Sequence, residues 1–257
     1  MKHKSILILL SIFLFGSFCF AQEWKVLRSI HFIIHYKEAP MRFLDKIRDY
    51  AEDYYREITE ELGFRRKKFW TWENRAKIYV YDSHDDYLEA TGMASWSSAS
   101  VDYHNKIINT YPDAPEFFAN VLVHELTHII FREYVGFNPS VPLWLEEGVA
   151  TFTEKKKNAG RIIAGLKALD KNGVLFGLKE LTAMNNVLSF SQDKANVFYA
   201  QSFGLVYFLV DKFGRDDFAD FCFSLRKGRS LEKSLYFAYN IRGLDELEDE
   251  WRRNLFN

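Results

Sequence analysis

Val123-His124-Glu125-Leu126-Thr127-His128 decides how this chain is read, because two imidazoles four residues apart with a carboxylate between them can bind a metal ion and use it. On a helix, residues i and i+4 share a face, so His124 and His128 can each aim a ring nitrogen at one cation. Glu125 projects about 100° further round, beside the metal, where it can take a proton from a water held there. The flanking residues favour a helix. From Pro115, tolerated in a first turn, to Tyr134 the segment reads as one amphipathic helix with Phe117, Phe118, Val121, Leu122, Ile129 and Ile130 apolar. Gly136 then offers a left-handed stop.

Two His leave a tetrahedral zinc site one protein ligand short, with a fourth position for water. Positions 131 and 134, where one spacing class needs Gly and His, hold Phe131 and Tyr134, which excludes that class. A carboxylate from a following helix is the other solution, and Pro142-Leu143-Trp144-Leu145-Glu146-Glu147-Gly148-Val149-Ala150 supplies it. With Ser140 as cap and Pro142 as first helical residue, both Glu146 and Glu147 fall in the early turns. Neighbours on a helix point about 100° apart, so only one can face the metal, and spacing alone does not choose.

These motifs resemble the gluzincin class of zinc metallopeptidases, in which HExxH is followed by a glutamate ligand on a second helix. Eighteen residues separate His128 from Glu147, as in the aminopeptidase N type, whose second motif reads Trp-Leu-Asn-Glu-Gly. The resemblance implies Glu147 as the third ligand to one Zn2+ beside His124 and His128, and leaves Glu146 as a solvated or supporting carboxylate. It implies Glu125 as the general base. In the aminopeptidase-like gluzincins a Tyr near the start of a later helix donates to the oxyanion, and Tyr199, in Phe198-Tyr199-Ala200-Gln201-Ser202-Phe203, matches it. A phenol is neutral at pH 7 and stabilises charge that develops in the transition state.

A closer similarity is to the peptidase MA-like family of small bacterial proteins, with HELTH, Trp-Leu-x-Glu-Gly, a Tyr-x-Gln-Ser helix and a C-terminal helix in order. The last is Leu244-Asp245-Glu246-Leu247-Glu248-Asp249-Glu250-Trp251, and the similarity extends roughly over residues 28 to 257. The aminopeptidases carry Gly-Ala-Met-Glu-Asn before the zinc helix, its Glu gripping a free amine. The counterpart here, Gly92-Met93-Ala94-Ser95-Trp96, lacks that acid, which favours an endopeptidase acting on a peptide or protein substrate. In this reading Lys106 to Tyr111 is the sheet edge that pairs with an extended substrate backbone.

Lys2 and Lys4 precede an apolar run from Ile6 to Phe20 and a cut after Ala21, an export signal over residues 1–21. The expected location is periplasmic or extracellular, with membrane attachment only if that segment stays uncleaved. After such a cut, 236 of the 257 residues remain and Cys222 is the last cysteine, so the mature fold rests on its core and Cys222 reads as buried packing. The formal net charge of −1 does not recommend nucleic acid as a partner. Arg65-Arg66-Lys67-Lys68 and Glu154-Lys155-Lys156-Lys157 read as solvated faces. Oligomeric state is not legible.

Along the chain, residues 30 to 36 are β-rich, residues 41 to 62 form a charged helix ending at Gly63, residues 76 to 81 alternate as a strand, and residues 85 to 91 form a short helix. After Pro142 no strand pattern appears, and four or so helices fill the rest. The expectation is a zincin-like α+β domain: a small mixed sheet with helices in an N-lobe (22–136), a mainly helical C-lobe (137–257), and the zinc site at their junction. Secreted zinc-dependent peptide hydrolysis is the leading function. A zinc-stabilised binding protein without turnover, and an amidase on cell-wall peptides, stay open.

Overall fold

Buried Ala76, Ile78 and Val80 alternate with partly exposed Lys77 and Tyr79 along β3 (Ala76–Val80), the middle strand of the sheet. The structure, a computed structural model, describes residues 23–64, 70, 72–137, 141–187 and 189–256. The export signal, the basic cluster 65–68 and the proposed cap Ser140 lie outside the described residues. Strands β1 (Lys25–Arg28), β2 (Phe32–Tyr36), β4 (Ser100–Asp102) and β5 (Ile107–Thr110) complete a sheet of order β1-β2-β3-β5-β4. The central three are parallel and the two flanking strands antiparallel to their neighbours. Register aligns Ile34, Ile78 and Ile108, all fully buried.

Helix α1 (Met41–Glu61) returns the chain from β2 to β3, burying Leu44, Ile47, Ala51, Tyr55 and Ile58 at three- and four-residue spacing. It packs on β2 and on α3 (Leu122–Val135), the helix that carries both histidines. Gly63 ends this turn at φ +71°, and a Cβ there would lie 2.3 Å from the Arg215 carbonyl oxygen. Helix α2 (His84–Thr91) is capped by Ser83, whose hydroxyl accepts from the Asp86 amide, and ends on left-handed Gly92.

Four expectations need correction. Lys106 to Tyr111 is not an edge: β5 is bonded to β3 on one side and β4 on the other, so β4 is the outer strand. Pro115 to Tyr134 is not one helix either. Glu116 turns left-handed at φ 55°, Phe117–Val121 form a π turn in which Val121 and Leu122 bond back five residues, and α3 begins at Leu122. Pro142 caps α4 (Leu143–Lys155) in extended conformation rather than opening it. Finally, the segment after Pro142 holds seven α-helices among the described residues, not four: α4, α5 (Ala159–Lys171), α6 (Leu178–Ala183), α7 (Gln192–Phe213), α8 (Arg215–Arg226), α9 (Leu231–Tyr239) and α10 (Leu244–Phe256). Gly214 and Gly228, both at positive φ, divide what its continuous apolar pattern makes look longer.

Buried α7 packs closely along α4, and the apolar face of α10 covers it through Leu247 and Trp251. Gln201, fully buried, clamps the chain before α6 by accepting from the Phe176 amide and donating to its carbonyl, at 3.0 and 2.7 Å. Cys222 is a buried free thiol, as its apolar neighbours imply. No helix among the described residues is long and apolar enough to cross a membrane.

Gly148 explains the glycine of the Trp-Leu-x-Glu-Gly motif. A Cβ at this position would lie 2.5 Å from the Ser202 carbonyl oxygen on α7, so its absence lets the two backbones touch. Gly148→Ala is expected to lower stability by about 1–3 kcal/mol through overpacking, although Ala suits a helix better by about 1 kcal/mol. Thermal unfolding should register a midpoint several degrees lower; an unchanged or raised midpoint would show that α4 and α7 separate freely.

Candidate metal centre

Helices α3 and α4 run antiparallel and face each other through polar groups. His124 and His128, one turn apart on α3, bring their Nε2 atoms to 3.1 Å from one another. Glu147 Oε2 on α4 lies 3.8 Å from each of those nitrogens. Atoms each held about 2 Å from a common tetrahedral centre are about 3.3 Å apart, so the triangle has the size of a zinc site. Among the described residues these are the three side chains gathered closely enough to hold a metal ion. Two nitrogens and one carboxylate oxygen suit zinc among the common divalent ions.

The electrostatics suit a bound cation. Burial drives the Glu147 carboxyl up to about 7, against the pull of His124 and with Glu146 and Glu125 adding to the rise. Burial also holds His128 well below the ordinary imidazole range, assisted by His124 and Arg132. His128 is nearly fully buried, and its Nδ1 has no hydrogen-bond partner among the described residues. A divalent cation among these donors supplies the charge that this cluster lacks.

Each ring has a supporting carboxylate from α4. Glu154 Oε2 lies 3.0 Å from His124 Nδ1, and Glu146 Oε1 stands 3.8 Å from His128 Nδ1. Burial opposes a charge on His124, but the Glu154 bond and the nearby carboxylates outweigh it and raise its pKa. Glu146 is not solvated: it is buried and gripped by both Nε and Nη2 of Arg132. Thr127 and Thr153 join hydroxyls at 2.6 Å between the same helices.

Glu125 points into the cluster, its pKa raised chiefly by burial. Tyr199 on α7 is half-buried, and burial together with Glu147, Glu125 and Glu154 pushes its phenol up to about 12, so it stays a donor. All five residues named from the sequence therefore stand in one neighbourhood. Two others were not foreseen. Glu154 read as part of a solvated run; the available signal was its place seven residues after Glu147, two turns along the same face. Tyr103, whose hydroxyl donates to Glu125 Oε2 at 3.3 Å, belongs to the β4–β5 turn and has no sequence signal. Glu154→Ala is expected to weaken zinc binding about 10–100-fold, the usual effect of removing such a support. Competition with a chelator of known affinity measures this, and wild-type affinity would show that His124 is oriented without it.

Comparison with known proteins agrees with this geometry. The family model of the Peptidase MA superfamily matches residues 70–257. No curated protein matches the chain. Among solved structures, yeast LTA4 hydrolase superposes with a TM-score of 0.52 at 15% identity, covering 90% of this chain and 38% of that one. A two-domain M1 zinc metallopeptidase, an E323A mutant bound to L-arginine, gives 0.52 at 14% identity over 89% of this chain and 51% of its own. The chain thus spans about half or less of the length of either, and the likeness is one of fold. With the family model covering well over half its length and the HExxH and glutamate motifs closing on one point, this chain belongs to the Peptidase MA superfamily, in the gluzincin pattern of zinc metallopeptidases.

Proposed function

We propose that the chain hydrolyses peptide bonds within polypeptides, using one zinc ion held by His124, His128 and Glu147. The observation that carries this reading is the triangle of donor atoms at 3.1, 3.8 and 3.8 Å with the Glu125 carboxylate beside it. Zinc bound there would polarise a scissile carbonyl and bring the pKa of a water to about 7. Glu125 takes the proton of the attacking water and delivers it to the leaving amine. Tyr199 donates to the carbonyl oxygen as negative charge develops on it. His124 is held in orientation by the Glu154 carboxylate, and the Glu146–Arg132 pair stands 3.8 Å behind the His128 ring.

The preference for internal bonds rests on two features. The edge strand β4 leaves one side without a strand partner among the described residues, and it ends one residue before Tyr103, which contacts Glu125. An extended peptide added there would be held by its backbone with both ends free. The loop from Gly92 to Trp96 carries no acid to bind a terminal amine. Export, on the strength of Lys2, Lys4 and the apolar run to Phe20, belongs to the same proposal.

A library of fluorescent peptides with blocked and with free N-termini, extended to cell-wall fragments and incubated with and without a chelator, tests this. Chelator-sensitive cleavage of blocked peptides is expected. Cleavage confined to free-amine peptides would make the chain an aminopeptidase, and cleavage confined to wall fragments an amidase. Intact peptides throughout, with zinc bound, would make it a binding protein. Glu125→Gln should abolish turnover while elemental analysis still finds one zinc per chain, and His128→Ala should lose both. Tyr199→Phe should lower kcat about 10²–10³-fold, the range for removing one oxyanion donor; a wild-type kcat would exclude Tyr199 from that role.

A further inference from the structure

We infer that Tyr103 is a positioning residue for Glu125, coupling the edge strand of the sheet to the carboxylate that handles the proton. This rests on the general-base reading of Glu125 given above. The Tyr103 hydroxyl donates to Glu125 Oε2 at 3.3 Å, and its ring centroid lies 5.4 Å from that of His128. A distance of 3.3 Å is long for an O–H···O bond, whose usual value is about 2.7–2.8 Å, and hydrogen bonds of this kind commonly tighten when substrate binds.

The phenol is held from its own side of the site. Tyr103 follows β4 directly, in a turn fixed by Asp102, whose carboxylate accepts from the Asn105 amide at 3.0 Å and from its Nδ2 at 2.7 Å. Lys106 closes that turn in left-handed conformation at φ 54°, and its ammonium reaches Glu133 on α3 at 3.3 Å and the Asn74 carbonyl at 2.6 Å. The hairpin is therefore tied to α3 twice, once at Glu133 and once at Glu125. A Glu side chain has three rotatable bonds, and a directional donor selects among the rotamers that packing allows. Tyr103 provides that donor, and because it sits at the end of β4, a peptide backbone paired along β4 fixes the phenol and with it the carboxylate.

The test is kinetic, on a blocked peptide that the wild-type chain cleaves. Tyr103→Phe keeps the ring and removes the hydroxyl. Expected are a kcat lowered at least 10-fold, a KM within 2-fold of wild type, one zinc per chain and an unchanged thermal midpoint. Glu125→Asp draws the carboxylate back by one methylene, out of reach of the phenol; in that background Tyr103→Phe should cost less than 3-fold. An equal loss in both backgrounds would mean that the hydroxyl acts on the substrate, and overturns the inference. So does a raised KM with kcat unchanged, a loss of zinc, or wild-type kinetics in Tyr103→Phe while Glu125→Gln is dead. Full activity in Glu125→Gln overturns the general-base reading itself.

Discussion

His124 Nε2, His128 Nε2 and Glu147 Oε2 stand within 4 Å of one another, and the packing of α3 on α4 is what holds them there. Helix α3 contributes the nitrogens. Helix α4 contributes every carboxylate that touches them: Glu147 on the cluster, Glu154 and Glu146 behind the rings. The Thr127–Thr153 bond and the Arg132 grip on Glu146 set the register of the two helices, so the rings and carboxylates cannot slide apart by a residue. Burial sets their electrostatics, raising the Glu147 carboxyl to about 7 and holding His128 well below the ordinary imidazole range.

The remainder of the fold serves to hold those two helices still. On one side α3 leans on α1 and through it on the sheet; on the other α4 is pressed against α7, at backbone contact where Gly148 meets Ser202. Val206 lies beside that contact, and Trp144, Phe198 and Phe203 on the same two helices are fully buried. Close packing of this kind transmits small displacements, so a single methyl group at position 148 would act on the Glu147 carboxylate next to it.

What could be read from sequence was what local periodicity carries. The buried stripe Leu44, Ile47, Ala51, Tyr55, Ile58 announces α1, the alternation around Ile78 announces β3, and the i, i+4 histidines announce the metal face. The ligand Glu147 needed a family resemblance, since Glu146 beside it is equally acidic. The hidden parts depend on the path of the chain in space. Strand β5 has an apolar sequence suited to an edge or an interior strand, and only its pairing with both β3 and β4 decides. The break at Glu116 looks like helix because the apolar spacing of Phe117, Phe118 and Val121 runs on into that of α3, whereas the left-handed Glu116 and the π turn after it are visible only in the backbone. Tyr103 reaches Glu125 across 22 residues of chain, and no pattern encodes that distance.

The division of carboxylates between the helices has an outcome for descent. The three candidate ligands are shared between α3 and α4, whereas the groups proposed for proton handling and charge stabilisation, Glu125, Tyr103 and Tyr199, are not among them. A lineage could lose any of those three without unpicking the helix pair or releasing its ion. Relatives that keep both histidines and the Glu147 position but lack the acid between the histidines would be stable, metal-filled and silent, and the scaffold would then be free to recognise peptides that it no longer cuts.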